Sequence, residues 1–422
     1  MTLHPCDRPA MLALSCCASR AVLRHGLRLA ARDDNALRPT TERVAGTLKI
    51  VDVATWVVNV PLTTTFTSSL GRKQGTTRTV VRLRTDDGAE GWGETMNGRP
   101  VATLIDKLAP MVVGQSPFEM EALRKKFKWI PFYYGYLGYA AIAGIDVACW
   151  DLIGKMTSQP LSNLIGGYVR EQVPITGLVT RGMAEGVTEA SMPRALADRA
   201  ESLTSEGFTA VKVKGSSNVG EDLRIMEALR ERLPEAKLRV DPNGAWSLPD
   251  AIQATARIEA LTLEYLEDPC WGLEAMSALR EKVRVPFCTN MCIVRFEDIA
   301  PAVRLKTVDV VHGDVFKWGG IGPTKHLASH CETLGFGMNL HSGGELGLST
   351  AAHLAVVASS PIITYAMDSM YYLAADDILT ERLPFDSGAL AVPTGYGLGV
   401  EVDEQKLQHY SELNDFEGDY SL

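Results

Sequence analysis

No CxxC pair, no GxGxxG turn and no uninterrupted apolar run near the roughly 18 residues of a membrane span occurs in this chain. The first absence excludes a zinc knuckle and a thioredoxin-type redox pair. The eight cysteines, Cys6, Cys16, Cys17, Cys149, Cys270, Cys288, Cys292 and Cys331, are scattered. They read as small buried hydrophobes in a reducing, cytoplasmic compartment. The second absence counts against a dinucleotide-binding open sheet, and the third leaves no membrane partner to expect. Positive charge is also short. Lys and Arg number 42 against 51 Asp and Glu, a net charge of -9, so neither nucleic acid nor an anionic lipid surface is generally attracted. An anionic substrate would need a local cluster of cations.

Lysine is missing altogether from the first 46 residues, which carry arginine instead and resemble nothing that follows. Met11–Leu29 could form a basic amphipathic helix. The apolar run Ala10–Ser15 is short for a signal peptide, and residues 1–46 are expected to be a dispensable extension. The remaining length exceeds what one core serves, so two domains are expected.

From Leu48 the pattern is regular. Leu48–Val60, Arg78–Arg84 and Glu90–Thr95 read as strands of an antiparallel meander, with Leu62–Gly75, rich in Thr, Ser and Gly, as a long loop. Helical periodicity follows at Pro100–Val113, Pro117–Lys126 and Tyr139–Lys155. Residues 47–170 are therefore expected to form an α+β domain. Over residues 171–392 the rhythm changes to short β-rich runs separated by amphipathic stretches. The runs are Val173–Leu178, Ala210–Lys214, Lys237–Asp241, Leu263–Glu267, Phe287–Asn290, Val308–Asp314, Gly337–His341 and Tyr365–Asp368. Eight such alternations predict an α/β fold, a (β/α)8 TIM-like barrel, with a doubly wound sheet as the alternative. Residues 393–422 open on a turn-rich exit and are expected to pack back on the first domain.

Polar residues punctuate these runs. Lys214, Asp241, Glu267, Asn290, Asp314 and His341 each end one, at intervals of roughly one βα unit, which would deliver all six to one rim of a barrel. Asp241, Glu267 and Asn290 make an all-oxygen set suited to a hard divalent cation such as Mg2+, with Mn2+ as a substitute; zinc is disfavoured because no His or Cys joins them. Each could instead be an ordinary helix N-cap, a reading that Glu267 resists because glutamate caps poorly. Lys212 and Lys214 share one strand face. Two ammonium groups beside a metal would depress each other's pKa and leave one as a base. Asp314 would hold His341 as an acid–base dyad, while His312, His326, His330 and His353 read as packing or surface residues. Together these groups suit abstraction of a proton next to a carboxylate through an enediolate.

Lys212-Val213-Lys214, Asp241-Pro242-Asn243-Gly244-Ala245-Trp246, Glu267-Asp268-Pro269, Thr289-Asn290-Met291 and the Asp314/His341 pair resemble the enolase superfamily, and within it the glucarate dehydratase group. The resemblance runs from about Leu48 to the C-terminus. It implies that the first domain is a cap, completed by the C-terminal tail, whose long loop closes over the site. It also implies that the third metal ligand is asparagine, that Lys214 and His341 work on opposite faces of the α-carbon, and that Lys212 binds the carboxylate. Where that group has Ser-Asn-Asn-His this chain reads Ser342-Gly343-Gly344-Glu345. A dianionic substrate beside Glu345 would be awkward, which brings a mono-acid sugar into view. Asn243, Glu345, Thr67, Ser68, Ser69, Arg72 and Lys73 are candidate substrate contacts. Tyr134 is another, in a cluster with Tyr133, Tyr136 and Tyr139 that could equally be a domain-interface core. The implied activity is dehydration of glucarate or a related acid sugar. A racemase or epimerase using the same bases and a non-catalytic binding barrel are the alternatives. The partner expected is a small acid sugar, with the chain as a homo-oligomer.

Overall fold

The computed structural model describes residues 48–420, so the expectation for residues 1–46 lies outside the described residues. β1 (Ile50–Ser68) and β2 (Gly71–Thr85) are rich in Val and Thr, whose branched Cβ suits a pleated surface. They pair antiparallel, and β3 (Glu90–Met96) joins the other edge of β2. The expected loop Leu62–Gly75 is corrected here. Pro61 cannot donate to the ladder, and the register shifts between Pro61 and Phe66. Pairing then resumes with Phe66 opposite Lys73, Thr67 opposite Arg72 and Ser68 opposite Gly71. The Thr-rich composition that suggested a loop supplies β-branched residues to a projecting hairpin.

Four helices follow: α1 (Arg99–Val112), α2 (Met120–Phe127), α3 (Ile130–Tyr134) and α4 (Tyr136–Thr157). α4 lies close on β3 because Gly91 and Gly93 present no side chain. A Cβ at either would stand 2.3 Å from a carbonyl oxygen of Ala148 or Gly144. By length and composition α4 could cross a membrane, but 83% of its apolar window is buried in this packing, as in a core helix.

The expected strand Val173–Leu178 splits in two. β4 (Gln172–Pro174) pairs with a small antiparallel sheet, whereas β5 (Gly177–Val179) enters a parallel one. β6 (Ala210–Lys214), β7 (Lys237–Asp241), β8 (Tyr265–Glu267), β9 (Phe287–Thr289), β10 (Val310–Gly313) and β11 (Gly337–Leu340) continue that sheet in neighbouring order. The eighth run, Tyr365–Asp368, bridges the two sheet edges without a continuous ladder. Ile175 pairs with Met367 and Met338 with Ile363, and Asp368 N donates to Leu340 O at 3.2 Å. The sheet is thus curled and joined across its edges, consistent with a TIM-like barrel. Several strands stop a residue short of expectation, so Asn290, Asp314 and His341 sit just beyond their strands.

Two contacts join the α+β layer to later parts of the chain. Glu94 of β3 accepts from Arg78 Nε at 2.7 Å, from Leu346 N at 2.9 Å and from Ser349 N at 2.8 Å. It therefore satisfies the open N-terminus of the helix Gly347–Ala358 from outside that helix. The helix Glu404–Glu417 brings the tail onto β1 and β2: Asn59 Nδ2 donates to Gly418 O at 2.6 Å and Tyr420 N to Thr77 Oγ1 at 2.7 Å.

Candidate active site

Side chains from six strand ends meet at one rim. Lys214 Nζ lies 2.5 Å from Asp241 Oδ2 and 3.5 Å from Asn243 Oδ1, while Asn243 N donates to Asp241 Oδ1 at 2.9 Å. Lys212 Nζ lies 2.5 Å from Glu267 Oε2 and 3.8 Å from Asp241 Oδ2, and it also donates to Asp368. Asn290 Nδ2 donates to Glu267 Oε1 at 2.6 Å. Asp241, Glu267 and Asp268 offer carboxylate oxygens within 4.8 Å of one another, all buried.

Charge states follow from this packing. Burial alone would lower the Lys212 ammonium, but Asp368, Glu267 and Asp241 outweigh it and hold Lys212 above the ordinary lysine value. Three carboxylates therefore keep Lys212 protonated. Asp268 is pushed up to about 7, first by burial and then by the charges of Glu267 and Asp241. His341 Nδ1 stands 3.2 Å from Asp314 Oδ2. A carboxylate only accepts, so Nδ1 carries the proton and Nε2 is left free. Burial, with Lys317 and Lys214 beside it, holds the imidazole well below its ordinary pKa, hence neutral at pH 7. Burial lifts Asp314 to about 6, against the opposing charge of Lys317.

The hairpin of β1 and β2 reaches this rim. Ser69 Oγ donates to Pro242 O at 2.6 Å, and the Phe66 ring centroid lies 5.4 Å from Lys73 Nζ and 5.9 Å from Lys214 Nζ. Thr67 N approaches Thr180 Oγ1 at 3.4 Å. Two substrate candidates lie elsewhere. Arg72 is exposed and ion-paired with exposed Glu185 at 2.8 Å, and Tyr134 accepts from Lys107 at 2.8 Å on the α+β layer. Tyr136 is the tyrosine near Asp314 and Asp268; burial and the charges of Asp298, Asp314 and Asp268 raise its phenol. Glu345 is buried and turned onto its own loop, accepting from Ser342 Oγ at 2.7 Å and Gly343 N at 2.5 Å.

Residues 48–166 match the mandelate racemase / muconate lactonizing enzyme N-terminal domain, and residues 195–406 match the enolase C-terminal domain-like family. The chain belongs to the enolase superfamily. A Streptomyces coelicolor relative named "Probable glucarate dehydratase" is 34% identical over 79% of this chain and 84% of its own. A solved isomerase structure from the same organism is 58% identical, with a TM-score of 0.83, over 88% of this chain and 99% of that one. An enolase from Thermobispora bispora solved with magnesium and formate is 28% identical, with a TM-score of 0.80, over 88% of this chain and 94% of its own. Other relatives, 28% and 27% identical, are named N-succinyl-L-Arg/Lys racemase, from Bacillus cereus, and D-galactarolactone cycloisomerase, from Agrobacterium fabrum.

Superfamily enzymes bind Mg2+, and the residues here fit such an ion. Four buried carboxylates, Asp241, Glu267, Asp268 and Asp368, crowd together, and burial with the charges of Glu267 and Asp241 raises Asp268. Oxygen donors from carboxylates and an amide are what a hard cation takes.

Three residues of this superfamily site escaped the sequence reading. Asp368 holds Lys212 and ends the eighth β-rich run, so the rule that found the other six residues would have found it. His312, assigned to packing, touches the cluster: its Nδ1 is 3.2 Å from Glu267 Oε1, at an angle that makes no hydrogen bond, and its Nε2 is 3.1 Å from Tyr265 Oη. Lys317 donates to Asn290 O at 3.0 Å and to Asn290 Oδ1 at 3.1 Å, and lies 3.7 Å from Asp314 Oδ2. It sits in a turn beyond β10, where no periodicity marks it.

Proposed function

We propose that this chain is a Mg2+-dependent acid-sugar dehydratase that removes the proton α to a carboxylate and expels the β-hydroxyl, yielding a keto-deoxy acid. What carries the reading is that two candidate bases from separate strand ends, Lys214 and His341, lie beside one buried carboxylate cluster. His341 feels the charges of both Lys214 and Glu267. Asp241, Glu267 and Asn290 would hold the cation, with Mn2+ as a substitute, and it would supply charge stabilisation to the substrate carboxylate as the α-carbon loses its proton.

The remaining work falls to side chains. Lys212, kept as an ammonium, binds and orients the substrate carboxylate. Neutral His341 takes the α-proton on Nε2, with Asp314 stabilising the imidazolium that forms. The electron pair of the broken C–H bond forms the new double bond as the β-carbon–oxygen bond breaks. Lys214, ion-paired with Asp241, gives a proton to the departing hydroxyl, which leaves as water. Tautomerisation of the enol gives the keto acid.

The test is a panel of acid sugars with purified protein and Mg2+, reading 2-keto product with semicarbazide. Product that disappears with EDTA, and falls by about 100-fold or more in Lys214→Ala, is the expected result. Absence of keto product across the panel, with Mg2+ bound, overturns the reading.

A second reading, epimerisation by the same two bases, has one observation in its favour. The 58%-identical solved relative is described as an isomerase.

A further inference from the structure

Across the Phe66 ring from Lys214, the β1–β2 hairpin brings one cation to the loop that follows His341. A Cβ at Gly344 would stand 3.4 Å from Lys73 Nζ and 2.6 Å from Thr76 Oγ1, and Thr76 Oγ1 donates to Gly344 O at 2.6 Å. The hairpin and this loop are therefore in contact, and the close approach of Thr76 leaves no room for a side chain at residue 344. Gly344 also has φ of 88°, a region that suits glycine.

Lys73 makes no hydrogen bond or ion pair among the described residues, although it lies half-buried between Phe66 and this loop. Burial brings its ammonium down to about 8, with Glu345 opposing the shift and Arg78 and Lys214 adding to it. Arg78 is already committed to Glu94 and stacks on Phe316 with its guanidinium carbon 4.9 Å from the ring centroid. Glu345 in turn is buried, with Ser342 and Gly343 on its oxygens. The balance of charge at this end of the site is thus one ammonium with donors to spare and one buried carboxylate. A hydroxyl can accept from Lys73 without meeting repulsion. A second substrate carboxylate would meet a buried like charge in a low-dielectric setting.

We propose that Lys73 and Glu345 form a charge-matched pair that recognises the end of the substrate remote from the reacting carboxylate, and that this end is hydroxylated and uncharged. The substrate class is then a polyhydroxy monocarboxylate of the aldonate type, taken in preference to the dicarboxylate of the same configuration. This rests on the acid-sugar reading above and adds to it the identity of the far end.

The experiment compares an aldonate with the aldarate of matching configuration on the wild-type holoenzyme, Glu345→Gln and Lys73→Met, all with Mg2+. Both kcat/KM and affinity by titration calorimetry are read. Lys73→Met breaks no hydrogen bond, so it folds even if Glu345→Gln does not; melting curves establish which variants are folded. The wild type is expected to prefer the aldonate by at least about tenfold, the cost of one poorly placed charge. Glu345→Gln narrows that ratio and Lys73→Met widens it, opposite shifts that a purely structural role would not give. Preference for the aldarate in the wild type, or a ratio unmoved by both substitutions, overturns the pairing. If neither acid reacts, the dehydratase reading fails, and the affinity ratio still decides the charge pairing. Binding of neither acid overturns it.

Discussion

Lys317 Nζ stands 3.1 Å from Asn290 Oδ1 and 3.0 Å from the main-chain oxygen of the same residue. An ammonium therefore occupies the amide oxygen that the cation reading needs, and it also bears on Asp314 and His341. Removing it frees Asn290 and deletes a positive charge close to the cation. Lys317→Met is expected to tighten Mg2+ binding by about tenfold in titration calorimetry. Unchanged or weaker binding would mean that Lys317 helps Asn290 to ligate rather than competing with the ion.

Glu94 joins two layers through buried groups. Its carboxylate neutralises Arg78, which is 1% exposed, and takes the N–H groups of Leu346 and Ser349. Glu94→Ala leaves a buried guanidinium and two helix N-terminal donors without their acceptor, a loss of about 3–5 kcal/mol. Urea unfolding would report it as a lower midpoint, with Glu94→Gln losing less because its shape and one acceptor remain. Equal stability of wild type and Glu94→Ala would show that the joint contributes little.

His353 gives a pH dependence separate from the reacting groups. It is buried, its Nε2 accepts from Val315 N at 3.1 Å, and burial followed by the charge of Arg78 takes its pKa down to about 3. The unfolded histidine titrates near 6.5 and so binds more protons than the folded one between those values. Stability from this group is full above about pH 6.5 and declines as pH falls toward 3. Between pH 7.5 and 5 it amounts to about 2 kcal/mol. Calorimetric melting should show a smaller acid-induced drop in Tm for His353→Gln, which keeps an acceptor for Val315, than for the wild type. Equal drops would place the acid sensitivity in other groups.

Much of the site was legible because a parallel strand puts its last side chain at one rim, and six polar residues after apolar runs repeat with the βα period. Asp368 obeyed the same rule but ended a run that pairs through isolated bridges. Lys317 acts from a turn, where neither period applies, so only coordinates could place it. The hairpin was misread because Thr, Ser and Gly are common to loops and to exposed ribbons. Arg72 illustrates the consequence. It neighbours Lys73 in sequence, but the ladder sends the two side chains to opposite sides, one to Glu185 at the surface and the other toward Gly344.

The central claim is proton abstraction next to a carboxylate followed by loss of the β-hydroxyl. Incubating the holoenzyme with a reactive acid sugar in D2O and following it by proton NMR tests this most directly. The account predicts a keto-deoxy acid carrying deuterium at carbon 3 as the accumulating product. Deuterium at the α-carbon of recovered, inverted substrate with no keto acid would contradict it and establish the epimerase in its place.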